Sequence, residues 1–323
     1  IMKKIISFLA VILISLQLAF SQTTDAEKAL LNKSTDTLAG WKRGAVIGVN
    51  FSQSSFNNWS AGGQNSLSIN GLISVFSNYK NKNSAWDNML DLGYGLLQQG
   101  KNNKFIKTDD KIDFTSKYGR NASKHWYYAA LINFKTQMTP GYNYPNDSVE
   151  ISTFLAPAYL LGALGMDYKP NSHFSAFIAP ATAKVTIVNQ QLLADAGAFG
   201  VDPASYDNSG TLLEHGKKVR NEFGGYVRMV YNNTFFQDKS VSLLSKLDLF
   251  SNYVHNPQNI DVSWETIFGF KVNKYIAATL STHLLYDDDI MIAVDNNNDG
   301  VVDATGPRTQ FKQVLSIGFT YKF

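Results

Sequence analysis

The chain has no cysteine. Disulfides, thiolate-ligated metals, a cysteine nucleophile and a lipidated N-terminal cysteine are therefore excluded. Beyond Phe20 it has no long apolar run, and a helix needs about 20 apolar residues to cross a bilayer. It has little excess charge, with 29 Lys+Arg against 26 Asp+Glu. It also lacks a basic run or recognition motif, so nothing points to nucleic acid. What it has in quantity is aromatic residues: 21 Phe, 16 Tyr and 5 Trp, 13% of the chain. An apolar fraction of 44% is ordinary for a soluble protein. It equally suits a membrane β-barrel, whose strands alternate apolar and polar residues and whose aromatics collect at the two interfaces.

The first residues read as a targeting segment. Lys3 and Lys4 form a basic start, residues 5–20 are almost wholly apolar, and Ala19 and Ser21 are small residues at the two cleavage-recognition positions. That is the pattern of a secretory signal cleaved between Ser21 and Gln22, too short to serve as a membrane anchor. The expected organisation is a signal over residues 1–21, a polar periplasmic leader over 22–43 and a barrel over 44–323.

Period-two alternation dominates the rest. In the last segment Phe311, Leu315, Ile317, Phe319, Tyr321 and Phe323 share one face; Lys312, Ser316, Thr320 and Lys322 share the other. Only a strand places residues this way. The same alternation marks residues 45–53, 65–78, 85–98, 105–118, 125–137, 150–168, 173–189, 218–232, 240–253, 260–273 and 275–287. The fold expected is all-β: an antiparallel, up-and-down transmembrane β-barrel of about 12 strands (range 10–14). Connectors alternate short and long, which suits short periplasmic turns and longer extracellular loops. A soluble sandwich or lipocalin-like barrel would use strands of about five or six residues, shorter than these.

The polar faces carry charges of both signs. Lys107, Asp109, Lys111, Asp113 and Lys117 line one strand; Lys218, Arg220, Glu222 and Arg228 line another; Asp87, Asp91, Glu265 and Lys271 add to them. A lipid-facing Lys or Arg costs about 2–4 kcal/mol at the midplane, so these residues are expected to point inward. Two readings stand: opposite charges pair and fill the lumen, or they line a polar channel for small solutes.

One segment resembles a metal loop. Asp295, Asn297, Asp299 and Asp303 supply oxygens at loop spacing, Gly300 allows a sharp turn, and Val301 can offer its carbonyl. Ca²⁺ suits that set, as an ion that orders the loop. The pattern departs from an EF-hand at the twelfth position, where Gly306 stands. The alternative is a solvated Asx-rich turn. For catalysis the one conceivable arrangement is His283 with Ser281 and Asp287 on the same strand face. No nucleophile-elbow motif accompanies it, so no catalytic residue and no other cofactor is expected.

Residues 50–63 (NFSQSSFNNWSAGG), Asp91 to Gly95, Lys107 to Lys111, Leu155 to Tyr159 and the closing strand together resemble a family of Bacteroidota outer-membrane barrels known only as a domain of unknown function of the 3000 series. The resemblance implies a barrel in the outer membrane and brings no activity, ligand or site residue. The function expected is a non-enzymatic structural or accessory subunit of an outer-membrane assembly for protein insertion, secretion or surface export. Its contacts would be lipid and partner subunits. The roughly 28-residue connector 190–217 is long enough to be a contact or plug element. A small-solute channel is the alternative and a hydrolase the third reading.

Overall fold

A computed structural model describes residues 39–55, 64–100, 104–144, 146–236, 240–271, 276–294 and 303–322. The expected signal, most of the leader, and Asp295, Asn297, Asp299 and Val301 of the expected Ca²⁺ loop lie outside these residues. Asp303 lies inside them and is exposed.

Alternation becomes long strands joined by hairpins. The first five are β1 (Gly40–Ser54), β2 (Ser66–Lys80), β3 (Ser84–Gln99), β4 (Phe105–Asn121) and β5 (Trp126–Thr136). After a short hairpin of β6 (Gly141–Tyr142) and β7 (Glu150–Ser152) come β8 (Ala158–Tyr168) and β9 (Phe174–Ile187). A compact connector then holds α1 (Gln191–Asp195), a 3₁₀ turn (Ala198–Gly200), and the pair β10 (Ser205–Tyr206) and β11 (Leu212–Glu214). The sheet resumes with β12 (Val219–Phe235), β13 (Val241–Asn252), β14 (Asp261–Lys271) and β15 (Ile276–Tyr286). The hairpin β16 (Met291–Val294) and β17 (Ala304–Pro307) precedes β18 (Gln310–Lys322).

Twelve of these strands pair in one antiparallel ring, in the order β1-β18-β15-β14-β13-β12-β9-β8-β5-β4-β3-β2, a closed barrel. Its seam is short: β1 meets β18 over four residue pairs, Val46↔Lys322 to Val49↔Phe319, whereas β1 and β2 pair from Gly40↔Lys80 to Ser54↔Ser66.

The two faces divide as alternation requires. Inward on β2 lie the buried Ser68, Asn70, Leu72 and Ser74; outward lie the exposed Ile69, Ile73 and Val75. Phe177, Ala179, Tyr226 and Phe250 form a buried cluster inside with Ala129, Leu131 and Ala163, while Ile178, Phe223, Tyr231 and Leu164 are exposed outside. At the short-turn end Trp41, Tyr79, Trp86 and Tyr118 sit directly opposite one another on four successive strands. The Trp41 ring packs tilted against Tyr79 and Trp86, with centroids 5.3 and 5.9 Å away.

Two expectations need correction. The segment 150–168 is not one strand: β7 pairs with β6 in a separate two-stranded sheet, a Thr153↔Ala156 bridge turns the chain, and the barrel strand starts at Ala158. Lys107 is not in line with Asp109 to Lys117. The ladder between β3 and β4 shifts register between Gly95 and Leu96, whose partners are Asp109 and Lys107. Such a bulge reverses side-chain facing. It lets Lys107 reach Asp110, three residues on, at 3.0 Å.

Candidate functional site: two sectors of one lumen

The connector 190–217 closes one sector of the barrel mouth. Leu193, Ala194 and Val201 bury themselves against Ala156 and Val188, with Ala198 and Phe199 packed around them. A Cβ at Gly216 would strike the carbonyl of Ala194, so only glycine permits this approach. Gly200 adopts φ 78°, which aims its carbonyl inward, where Arg220 donates to it at 3.1 Å. Asp195 ties the ends of the segment together: it accepts from the Gly216 amide and the Gln191 amide, both at 2.7 Å, and faces His215 at 3.0 Å. Chiefly because of the Gln191 hydrogen bond, its carboxyl titrates below the usual aspartate range.

Beneath this plug lies a dense ion network. Lys184 donates to Asp261 at 2.8 Å and lies 3.5 Å from Glu222 and 3.6 Å from Asp287. Arg220 holds Glu222 at 2.7 Å and Asp289 at 3.1 Å. Two cations thus serve four carboxylates. Further along the wall Arg228 makes a two-pronged contact with Asp248 at 2.6 and 2.8 Å, and Tyr226 donates to the same carboxylate at 2.6 Å.

The other sector is hollow. A cavity of about 490 Å³ runs along the lumen from the turn residues Asn171, Ser172 and His173 to Lys312 and Asp109. Its wall contains one continuous row: Lys246, Glu265, His283 and Lys312 stand directly opposite one another on β13, β14, β15 and β18. Strand β4 is six places from β14 in the ring of twelve, and β5 six places from β15. Lys111 and Lys135 therefore project from the facing wall, within electrostatic range of Glu265 and His283. Ion pairs in this lining are of two lengths: Lys111–Asp113 3.8 Å, Lys135–Asp113 3.9 Å, Lys246–Glu265 3.6 Å and Lys312–Asp109 3.6 Å are long, whereas Lys117 and Lys169 hold Asp167 at 2.8 and 2.7 Å and Arg228 holds Asp248 at 2.6 Å. Lys135 and Lys312 keep 41% and 56% of their side chains exposed.

Asp109, Lys111, Asp113, Lys117, Glu265 and Arg228 all line this cavity, and Arg220 and Glu222 lie in the network beneath the plug. Lys218 and Lys271 are exposed at strand ends. The expected His283–Ser281 pair is corrected: the hydrogen bond of His283 is with Ser263 Oγ on the neighbouring strand, at 3.0 Å from Nε2. Among the described residues no cluster of three or more His, Asp or Glu is arranged to hold a metal ion. Sequence reading did not single out Lys135, Lys184, Asp261 or the His283–Ser263 contact. Their only signal was position on the polar face of a strand, because contacts across a lumen have no spacing along the chain.

The molecule is thus an all-β antiparallel barrel with a charged, partly filled interior. Residues 51–142, from the end of β1 through β6, match the model of a family described as "Protein of unknown function (DUF3078)". No curated protein matches the chain. Solved structures similar to it include the translocator domain of the autotransporter NalP from Neisseria meningitidis, at 9% identity and TM-score 0.38, over 94% of this chain and 99% of that one. Another is an outer-membrane channel from Pseudomonas putida F1, at 10% identity and TM-score 0.39, over 90% and 98%. A third is the β domain of the Bordetella autotransporter BrkA, at 10% identity and TM-score 0.30, over 88% and 98%.

Proposed function

We propose that this protein is a transmembrane β-barrel of a bacterial outer membrane that acts without catalysis, as a structural or accessory subunit of an outer-membrane assembly. One observation carries the membrane reading: the barrel is inside out relative to a soluble one. Its exposed large side chains are Ile47, Val49, Phe51, Ile73, Ile132, Leu164, Ile178 and Trp264, while Asp167, Glu222, Thr182 and Ser68 are buried. In water such an outer surface would be an aggregation liability; in lipid it is the matching solvent. The outward band of β1 runs from Trp41 to Phe51. The ten residue steps between them, at about 3.3 Å each and tilted by about 40°, give roughly 25 Å, the height of a lipid-facing band. The outward indoles also fit lipid: Trp86 Nε1 donates to Ser116 and Trp264 Nε1 to Ser245, both at 2.9 Å. A buried donor without water must find such a partner.

The accessory role draws support from the plugged, ion-paired sector, which uses lumen volume that a wide pore would leave to water. It is tested by affinity purification of the tagged chain from its native membrane in mild detergent. Stoichiometric co-purifying subunits are expected, and a lone band would overturn the role. The second reading, a small-solute channel, has the cavity of about 490 Å³ in its favour. Discrete conductance steps in a planar bilayer would establish it in place of the accessory role. The loop 295–303 is proposed, on its oxygen spacing, to hold an ordering Ca²⁺; chelation that leaves the proteolysis pattern of the loop unchanged would remove the ion from the account.

A further inference from the structure

The two ends of the barrel differ in charge. The short turns 80–84, 119–125 and 169–173 carry Lys80, Lys82, Arg120, Lys124 and Lys169 and no acidic residue. The connector 190–217, at the other end, carries Asp195, Asp202, Asp207 and Glu214 against one lysine, Lys217. Lys169 is neutralised by Asp167 at 2.7 Å. Among the described residues Lys82 and Arg120 take part in no ion pair.

These two cations share a groove on the outer surface of the barrel. It is lined by Asn81, Lys82, Asn83, Ser84, Tyr118 and Arg120 and has a volume of about 470 Å³. A fixed turn builds it. Asn81 Oδ1 accepts from the amides of Asn83 at 2.9 Å and Ser84 at 2.7 Å, and from the Ser84 hydroxyl at 3.1 Å; such an Asx turn mimics a backbone turn. The Asn121 amide donates to the Asn83 carbonyl at 2.7 Å, which ties the turn to the end of β4. Arg120 stands directly opposite Ser84 on one side and Tyr128 on the other. Alternation puts it on the outward face of β4, with the exposed Phe114 and Tyr118. Tyr118 belongs to the interface row of Trp41, Tyr79 and Trp86, and rings of this kind sit at headgroup level. Arg120 lies two residues beyond that row, about 5 Å further out on a strand tilted by about 40°. That is the depth of lipid phosphates.

We propose that this groove binds the headgroup phosphate of an anionic phospholipid in the leaflet on the short-turn side, with Arg120 and Lys82 as its two cations. The inference rests on the transmembrane placement proposed above. The guanidinium fork matches two phosphate oxygens, and the lysine ammonium adds a point donor. Among the described residues no carboxylate lines the groove, so an anion displaces no existing pair. A zwitterionic headgroup brings its own cation and cancels most of the attraction; a net negative one keeps it. A lipid fits better than an acidic protein because the groove opens beside rings on the lipid-facing side. Tyr118 is 47% and Tyr128 62% exposed, and acyl chains can lie along them.

The test folds the full chain into phosphatidylcholine vesicles that carry a minor fraction of brominated lipid, either phosphatidylglycerol or phosphatidylcholine. Brominated chains quench nearby tryptophan, and Trp86 stands directly opposite Tyr118. Stronger quenching by the phosphatidylglycerol is expected, with the preference falling as salt rises. Arg120→Gln and Lys82→Gln should each lower the preference about fivefold, the usual worth of one cation beside an anionic membrane surface. Lys271→Gln removes an exposed cation at the same end of the barrel, on the strand six places from β4, and should leave the preference unchanged. Exchange of chloride for inorganic phosphate at constant ionic strength should also leave it unchanged. A chain that enters the vesicles, with heat-modifiable mobility on gels, but shows no lipid preference would overturn the site. Equal loss in Lys271→Gln would overturn it in favour of diffuse rim charge, and displacement by phosphate in favour of a free anion. Failure to enter vesicles of either kind would instead overturn the membrane placement.

Discussion

The two charge networks of the lumen share one barrel and opposite circumstances. Beneath the connector 190–217, two cations and four carboxylates are packed together, with Lys184 and Glu222 only 12% and 2% exposed in their side chains. Further along the same lumen, four lysines, Lys111, Lys135, Lys246 and Lys312, line a cavity and pair at 3.6–3.9 Å. The chemistry of the residues is the same. What differs is whether a connector folds down over them. Where it does, burial forces every charge to find a close partner, because an uncompensated charge in a dry interior costs several kcal/mol. Where it does not, water reaches the more exposed lysines, and the pairs of Lys135 and Lys312 stay long and are worth little, while the less exposed Lys117 and Arg228 still pair closely.

The sharpest way to break this comparison is to remove one ammonium from each side. Lys184→Met leaves Glu222, Asp261 and Asp287 facing one another without their shared cation; the expected cost is about 3–5 kcal/mol in unfolding free energy. Lys312→Met removes one long, half-exposed pair and should cost less than about 1 kcal/mol. Urea unfolding of the detergent-folded variants, followed by tryptophan fluorescence, reads both. Equal losses would mean that the two sectors are not energetically distinct.

A second substitution moves the cover itself. Gly216→Val places side-chain atoms against the Ala194 carbonyl, and overpacking of this kind typically costs about 1–3 kcal/mol. The strain falls on the connector, whose contacts with the barrel are few: Leu193 and Val201 against Ala156 and Val188, and Arg220 on Gly200. Protease cleavage within 190–217 should speed up while the barrel strands stay intact. If cleavage is unchanged, the connector does not act as a cover held by close approach.

Most of the sheet was legible in advance and most of the cover was not, for physical reasons. Alternation reports which residues face a common side, and between bulges it holds along the barrel strands because one side meets charge and the other large apolar residues. It fails at 150–168, where apolar residues such as Ile151 and Phe154 run up to the barrel strand although the chain there is in a two-stranded hairpin and a bridge-closed turn. It fails at Lys107, where a bulge inserts one residue and inverts the facing. The connector hid its helix because α1 is five residues long and its N-cap, Gln190, makes no capping hydrogen bond; neither periodicity nor a capping residue marks it. Partners across the lumen, such as Lys184 with Asp261 or Lys312 with Asp109, become neighbours only when the sheet closes. The charges could be assigned to the interior from sequence, but not to one another.

The smallest expected effect concerns pH, and it separates the cover from what it covers. Asp195 joins Gln191, His215 and Gly216, and its carboxyl titrates below the ordinary range, mainly through the Gln191 hydrogen bond. A folded-state value below the unfolded one means that the ionised form favours the folded connector. That contribution is complete above the unfolded value of about 3.9 and is lost as pH falls through the lower folded value. Amide protection factors across 190–217 should therefore be constant from neutral pH to about pH 5 and decline below about pH 4, with the Gly216 amide most affected. Asp195→Asn should lower protection modestly at neutral pH and flatten the acid decline. The barrel strands should show no such step in the same variant. A decline that persists unchanged in Asp195→Asn would assign the acid response to the carboxylates beneath the plug, and the connector would then follow the network it covers.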